Sequence, residues 1–474
     1  MREYSSIAGG RQINSGQWIE VRNPYSGESV GRVASVDKAT TQRVLESTRS
    51  TEIHLQRYER HDLLNRMAAR LEEQAPDVSR MITDESGLCL KDTLHEVQRA
   101  SDVLRFAAIE SLRDDSEVFP CDVSPVGRPR RIYTMRQPLH LIAAITPFNH
   151  PLNQVVHKIA PAIATNNKTI LKPSQLTPLA AYYLTQLALD CGMPPDMVNV
   201  LSGSTEDVAE TIVTSALVDM ITFTGGTATG KRIAAIAGYK RLVLELGGSS
   251  AMLVLADADP VQAAGIAVTG VFKNSGQRCT AIRRLLVHES TADEFVRLLA
   301  ERVQALKFGD PYDPSVDVGT VISERAAAEI ERRVELSMKQ GAKVIIGHPR
   351  RGAVYAPTVL DHVRNDHAVV ACETFGPVAP VMRFRTLDEA IQIANDTEFG
   401  LSGAVVSNHW PSIQRVITEL ETGTVNVNEA PSYRLEWSPF GGIKSSGLGY
   451  KEGVIEAMKS MTNVKTYSLP WDRP

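Results

Sequence analysis

Cysteine is scarce in this chain of 474 residues: the five, Cys89, Cys121, Cys191, Cys279 and Cys372, are an odd number, widely scattered, with no C-x-x-C pair. That argues against a disulfide framework, and no histidine cluster stands at metal-ligand spacing to suggest a zinc site. An excess of one charge is missing too. With 51 Lys+Arg against 55 Asp+Glu the net charge is −4, which supplies no basic stripe for nucleic acid or an anionic membrane. No apolar run approaches the roughly 18 residues that cross a bilayer, and the first ten residues lack the apolar core of a secretion signal. There is no internal repeat, low-complexity tract or long linker. A reduced, cytoplasmic setting is expected, with no nucleic acid, membrane or metal as partner.

What is present is ordinary in composition, 43% hydrophobic and 22% charged, and long enough for two or three closely packed domains. Residues 37–113 carry the spacing of amphipathic helices. From 139 the pattern changes to short apolar runs alternating with helical stretches, the rhythm of βαβ units and a parallel sheet. Strands are predicted over 139–146, 169–171, 198–201, 220–223 and 242–244, with Pro147 and Gly192-Met193-Pro194 among the punctuating turns. A second series over 251–255, 285–288, 342–346, 378–384, 403–407 and 423–427 predicts a second α/β domain. The segment 119–137, richer in Pro, Arg and β-formers, reads as a projecting hairpin.

One cysteine stands in a reactive context. Cys279 follows Phe272-Lys273-Asn274-Ser275-Gly276-Gln277-Arg278, a polar, Gly-containing approach in which Arg278 would favour the thiolate; the plain alternative is a buried, inert thiol. Oxidising an aldehyde by hydride transfer requires a nucleophile to add first, and a thiolate meets that need. Glu245 in Leu244-Glu245-Leu246-Gly247-Gly248 ends an apolar run, where a carboxyl group acquires a raised pKa suited to a general base; otherwise it is a cap or a surface carboxylate. Asn149, between Pro147-Phe148 and His150-Pro151, could donate to an oxyanion together with the Cys279 N–H; otherwise it forms a turn. Gly225 and Gly226 would allow close approach of phosphate at a helix start, although the spacing from Gly225 to Gly230 is not G-x-G-x-x-G and fits a plain strand-to-helix turn as well.

Seven motifs in order, at 147–149, 172–178, 223–230, 244–248, 276–279, 373–377 and 439–442, resemble those of the aldehyde dehydrogenase superfamily, and the resemblance runs over almost the whole chain, 21–466. It implies a Rossmann-like nucleotide-binding domain over 1–118 and 138–248, a second α/β catalytic domain over 249–438, and a small β oligomerisation arm from 119–137 and 439–474. A homodimer or homotetramer follows from such an arm. The resemblance implies Cys279 as nucleophile, Glu245 as general base and Asn149 as oxyanion donor. It places Lys172 at an adenosine ribose, Gly225 and Gly230 near a pyrophosphate and Glu373 at a nicotinamide ribose, with Thr146, Pro147, Phe148, Ser174, Gln175, Gly226, Leu246 and Phe375 also against the cofactor. Relatives restricted to NAD+ often carry Glu where this chain has Gln175, so NAD+ is expected with NADP+ also accepted.

The departures around the cysteine concern the substrate. Many relatives have a small or apolar residue where Arg278 stands and an aromatic or apolar one where His150 stands, and Arg99 lies on a helix that borders the substrate tunnel in this superfamily. Each has a plain alternative: tuning of the thiol, a structural histidine, a charge on a solvated helix face. Together Arg99, His150 and Arg278 would bind a small dianion, and the set is most similar to that of phosphonoacetaldehyde dehydrogenases. This implies oxidation of phosphonoacetaldehyde to phosphonoacetate through a thioester on Cys279, in aminoethylphosphonate degradation. Rivals are a non-phosphorylating glyceraldehyde-3-phosphate dehydrogenase, which could use Arg434, and enzymes for lactaldehyde, succinate semialdehyde or sulfoacetaldehyde. A silent scaffold retaining the fold is the reading from another class; the presence of both Cys279 and Glu245 weighs against it.

Overall fold

Five apolar runs form five adjacent strands of a seven-stranded sheet in a computed structural model that describes residues 1–449 and 452–471. Arg241–Glu245, Met220–Thr224, Leu141–Ile145, Lys168–Lys172 and Val198–Val200 lie side by side in that order, all parallel. Nearly every residue in them is buried, because helices cover both faces and leave no polar side to alternate with. The chain lays down Leu141–Ile145 first, moves outward to Val198–Val200, then returns to the other flank with Met220–Thr224. The crevice beyond the carboxyl ends of Leu141–Ile145 and Met220–Thr224, where the order reverses, is where open α/β sheets bind ligands. Pro147 to Asn149 follow one of these strands, and Gly225 and Gly226 the other.

Two short strands extend this sheet, and the sequence pattern missed them. Ser6–Ala8 pairs antiparallel with Val198–Val200 and turns into Arg11–Ile13 through Gly9 and Gly10, whose φ values of 57° and 67° lie in the left-handed region. Three residues are too few to show alternation. Trp18–Arg22, Ser29–Ala34 and Arg2–Tyr4 make a separate small sheet.

The second seven-stranded sheet runs Lys343–Ile346, Thr358–Asp361, Val378–Phe384, Ile282–His288, Ser250–Val254, Ser402–Val406, Thr424–Val427. Every neighbouring pair is parallel except the first. Thr358–Asp361, four residues behind Pro357, is the strand absent from the expected series. Residues 37–113 form Lys38–Ser50, Arg57–Glu73, Ala75–Ser86 and Leu90–Ser111. On Leu90–Ser111, Glu96 and Arg99 are three residues apart and so share a face.

A third sheet stands apart: Val118–Pro120 pairs with Arg130–Pro138, which pairs antiparallel with Thr462–Pro470 from Thr462 opposite Pro138 to Pro470 opposite Arg130. Tyr133 and Tyr467 stack across it at 5.4 Å. Of the arm expected over 439–474, the described part of this sheet is Thr462–Pro470. The preceding stretch joins the body, where Phe440 lines the central cavity and Glu452 is buried beside Lys158. Among the described residues no helix is long and apolar enough to cross a membrane.

Candidate active site

The two large sheets meet end to end. Glu245 is the last residue of Arg241–Glu245, whereas Cys279 and Glu373 precede Ile282–His288 and Val378–Phe384 by a few residues. Carboxyl ends of the first sheet thus face amino ends of the second across a cavity of about 260 Å³, lined by Asn149, Glu245, Cys279 and Glu373 among others. A second cavity of about 370 Å³ adjoins it, sharing Arg99, His150, Arg278, Ser432 and Arg434. The first is the chamber and the second its vestibule.

The loop before Cys279 is held in an unusual conformation. After the helix Pro260–Phe272, Asn274, Ser275 and Gly276 all take left-handed φ values of 60°, 52° and 69°, at a cost of about 1–3 kcal/mol for each of the two non-glycines. The cost is met by a dense set of bonds. Asp92 accepts from Asn274 N at 2.7 Å, and Asn274 Nδ2 donates to Asn149 O at 3.0 Å. The fully buried Arg283 donates to Gly276 O and, at 2.8 Å, to Gly376 O. A Cβ on Gly276 would come within 2.3 Å of Gly376 O, so only glycine fits there. Asn149 Nδ2 donates to Gln277 O at 2.8 Å, which orients the amide and leaves its second N–H for a ligand.

Burial pushes the Cys279 thiol up to about 12. Arg434 opposes the rise, while Glu245, Glu373 and Glu452 add to it. Arg278, expected to favour the thiolate, does couple to Cys279 by charge, but is not among the largest influences on the thiol. The Arg278 guanidinium turns back to the end of Pro260–Phe272, its Nη2 donating to Thr269 O at 2.8 Å and Gly270 O at 2.9 Å, and the cation that pulls hardest on Cys279 is Arg434. Burial, reinforced by Glu452, also raises Glu245 well above the carboxylate range, against the pull of Lys158 and Arg434. Both Glu245 carboxyl oxygens are buried without a partner among the described residues, as a base waiting for water requires. At Glu452 burial acts in the same direction but is overridden by Lys158, His157 and Arg434, so that carboxyl is lowered; its oxygen lies 3.0 Å from Lys158 Nζ.

The three cations read from the sequence do line the chamber, in different states. Arg99 Nε donates to Glu436 Oε1 at 2.5 Å, so its charge is already offset. Burial holds the His150 imidazole below its ordinary value, Glu96 pulling the other way. Arg278 keeps its Nε buried and without a partner among the described residues. A fourth cation, named from the sequence only for a rival substrate, equals it: Arg434 Nη1 is also buried and without a partner among the described residues, with the guanidinium 4.0 Å over the Phe440 ring and Nη2 3.5 Å from Glu436 Oε2. Gln154, Lys158, Glu436 and Glu452 were missed. The available signal was on Asn153–Ala164, where Asn153, Gln154, His157 and Lys158 are polar residues in an otherwise apolar, buried helix.

The nucleotide side is a continuation of the crevice. Thr227–Ile236 starts after Gly226 with no side-chain cap, leaving backbone N–H groups free at its positive end, and the space beside Gly226 is open to 4 Å. Lys172 is nearly buried with Pro173 O at 3.2 Å as its bonded partner, and burial brings its ammonium down to about 8. An open helix start and a cation with one weak partner fit a dinucleotide phosphate and ribose. Glu373 accepts from Gly248 N at 3.1 Å, and Phe148 meets Phe375 edge to face at 5.8 Å. Pro147, Phe148, Gly225, Gly226, Leu246, Glu373 and Phe375 share the chamber wall; Thr146, Lys172, Ser174, Gln175 and Gly230 do not. Thr146 and Lys172 sit together at adjacent strand ends, joined by Thr146 N to Lys172 O at 3.2 Å. The Ser174 hydroxyl accepts from Leu176 N in a local turn, and the Gln175 amide donates to Gly203 O. At Gly230 a Cβ would strike the Leu246 side chain at 2.3 Å, so glycine there lets the helix pack closely against the chamber wall.

Comparison with known proteins agrees with this arrangement. The model of the aldehyde dehydrogenase family matches residues 12–467. The chain is 37% identical to aspartate-semialdehyde dehydrogenase 1 of Pseudomonas canavaninivorans, over 95% of this chain and 96% of that one. It is 34% identical to the sulfoacetaldehyde dehydrogenase of Neptuniibacter caesariensis, over 94% and 98%. A crystal structure of NADP-dependent glyceraldehyde-3-phosphate dehydrogenase from Bacillus halodurans C-125 complexed with NADP superposes with a TM-score of 0.94 at 32% identity, covering all of both chains. The chain belongs to the aldehyde dehydrogenase family. Its class is that of the NAD(P)+-dependent oxidoreductases acting on aldehydes.

Proposed function

We propose that this enzyme oxidises a small aldehyde carrying an anionic group, and that the aldehyde is phosphonoacetaldehyde, the product phosphonoacetate. The observation that carries the reading is a pair of buried guanidinium nitrogens, Arg278 Nε and Arg434 Nη1, without partners among the described residues, on the wall of the Cys279 chamber. Unpaired buried donors on cations are costly unless a ligand satisfies them. A phosphonate presents oxygens to both. Relatives named for aspartate semialdehyde, sulfoacetaldehyde and glyceraldehyde 3-phosphate also point to charged small aldehydes.

In this reading Cys279 Sγ adds to the aldehyde carbon after giving up to solvent water the proton that burial otherwise retains, and Arg434 is the cation that favours the thiolate. Asn149 donates its free N–H to the oxyanion. NAD(P)+, when bound, accepts the hydride. Glu245 then takes a proton from water attacking the thioester, and the free acid leaves. Lys172, the uncapped start of Thr227–Ile236 and Glu373 would hold the dinucleotide. Cys279→Ala should abolish aldehyde-dependent NAD(P)H formation while cofactor binding, followed by fluorescence quenching, persists; residual turnover above about 1% would remove Cys279 from the mechanism.

The test of substrate is kcat/KM for phosphonoacetaldehyde, sulfoacetaldehyde, succinate semialdehyde, glyceraldehyde 3-phosphate, lactaldehyde and propanal. A preference for the phosphonate above about tenfold, roughly 1.4 kcal/mol in the transition state, is expected. Equal turnover of propanal would dismiss the anion site. One observation favours a second reading, a 2-hydroxy anionic aldehyde such as glyceraldehyde 3-phosphate: Gln154 Oε1 lies buried and unpartnered on the chamber wall, where it could accept from a 2-hydroxyl.

Two further proposals concern cofactor and assembly. No carboxylate occupies position 175, so NADP+ is accepted beside NAD+, and Gln175→Glu should raise KM for NADP+ at least about tenfold with little change for NAD+. Equal effects on both cofactors would show that residue 175 does not read the 2′-phosphate. Thr462–Pro470 is largely exposed and lies at one end of the three-stranded order, open to strand addition, and the protein is proposed to assemble as a homodimer or homotetramer through it. Truncation after Met461 should lower the mass seen by light scattering to that of a smaller assembly.

A further inference from the structure

Glu96 and His150 present two buried polar atoms to each other and to nothing else described. Glu96 Oε1 accepts from Leu152 N at 2.8 Å and Asn153 N at 2.9 Å, which fixes the carboxylate at the start of Asn153–Ala164. Its Oε2 has no hydrogen-bond partner and lies 3.6 Å from His150 Nδ1, which likewise has none. The Glu96 side chain is 1% exposed, and His150 lines both the chamber and the vestibule. We propose that Glu96 and His150 act as one unit that takes up a proton when the substrate's anion binds, so that the site selects an aldehyde bearing a protonatable dianion over one bearing a sulfonate. The inference rests on the anionic-aldehyde reading above and deepens it.

The geometry supplies the reason. The fixed carboxylate stands 3.6 Å from Nδ1, where its charge favours a proton on that nitrogen and leaves Nε2 as the nitrogen available to a ligand. The charged and titratable groups around His150 are Glu96, Arg99, Arg278 and His95. With the chamber empty of anion, burial and the two arginines keep the ring neutral. A phosphonate dianion beside Arg278 offsets those cations and, with Glu96 on the other side, places negative charge on both faces of the ring. One proton from solvent then joins Nε2 and is shared with a phosphonate oxygen; no other bond changes. A sulfonate brings a single, diffuse charge on weakly basic oxygens and gains little from an imidazolium.

The test is calorimetric titration of the whole protein at pH 9 with phosphonoacetate and with sulfoacetate, each in two buffers of different ionisation enthalpy, which counts protons taken up on binding. Uptake near one proton is expected with phosphonoacetate and near zero with sulfoacetate. Glu96→Gln and His150→Gln should each abolish the uptake and lower the ratio of kcat/KM for phosphonoacetaldehyde over sulfoacetaldehyde at least about tenfold. Phosphonoacetate binding without proton uptake in the wild type overturns the dyad and leaves the anion site intact. Failure of both acids to bind, with no effect of Arg278→Gln on any aldehyde, overturns the anion reading itself. If Glu96→Gln disturbs the fold, His150→Gln, which leaves the Leu152 and Asn153 bonds in place, carries the test alone.

Discussion

Glu245→Gln is expected to lower steady-state turnover by roughly 10²–10⁴, the usual worth of a general base, yet to leave a burst of about one NAD(P)H per active site. The glutamine cannot take a proton from water, so the thioester on Cys279 accumulates. The thiol itself becomes easier to ionise, because the Glu245 carboxylate is one of the groups that push it up. The burst should therefore persist and quicken as pH rises. In the parent enzyme kcat should fall as pH falls through the Glu245 pKa, since the protonated carboxyl is no base. Burial and Glu452 raise that pKa, so the acid limb should lie well above the ordinary carboxylate range of about 4.3. Rapid-mixing measurement of burst amplitude, with kcat against pH, checks both. A limb at ordinary carboxylate pH, or a burst lost at every pH, would move the base elsewhere.

How much of this was legible in the sequence follows from what a linear pattern encodes. The central strands were legible because burial on both faces writes itself as an unbroken apolar run, as in Leu141–Ile145 and Ser250–Val254. The strand order was not read, and Ser6–Ala8 and Thr358–Asp361 were missed because their apolar stretches, Ile7-Ala8 and Val359-Leu360, are too short to stand out as runs. Within the site, Cys279, Glu245 and Asn149 were marked by local context. The chain placed them on three separate segments that only the meeting of the two sheets unites. Charge state was the part least available. Arg99 and Arg278 read alike as cations near the tunnel, but Glu436, 337 residues further along, neutralises the first. The second spends Nη2 on carbonyls eight and nine residues back and keeps Nε free.

Arg434→Gln and Arg278→Gln separate two duties that one cation could have combined. Each removes a buried donor from the proposed anion site, and truncating one partner of a buried charged pair costs on the order of 2–5 kcal/mol. Each should thus lower kcat/KM for phosphonoacetaldehyde at least about 30-fold, chiefly through KM if the anion is held equally in ground and transition states. For propanal, which has no anion, the two should diverge. Arg278→Gln should change propanal oxidation little, because Arg278 is not among the main influences on the Cys279 thiol. Arg434→Gln should slow it and move the rise of the burst rate to higher pH, because Arg434 is the cation that chiefly opposes the effect of burial on Cys279 and also pulls down Glu245. Burst rates with both aldehydes against pH decide the matter. A propanal profile unchanged by Arg434→Gln would mean that the thiol is ionised by some other group, whereas a phosphonoacetaldehyde KM unchanged by both variants would mean that neither unpartnered nitrogen meets the substrate.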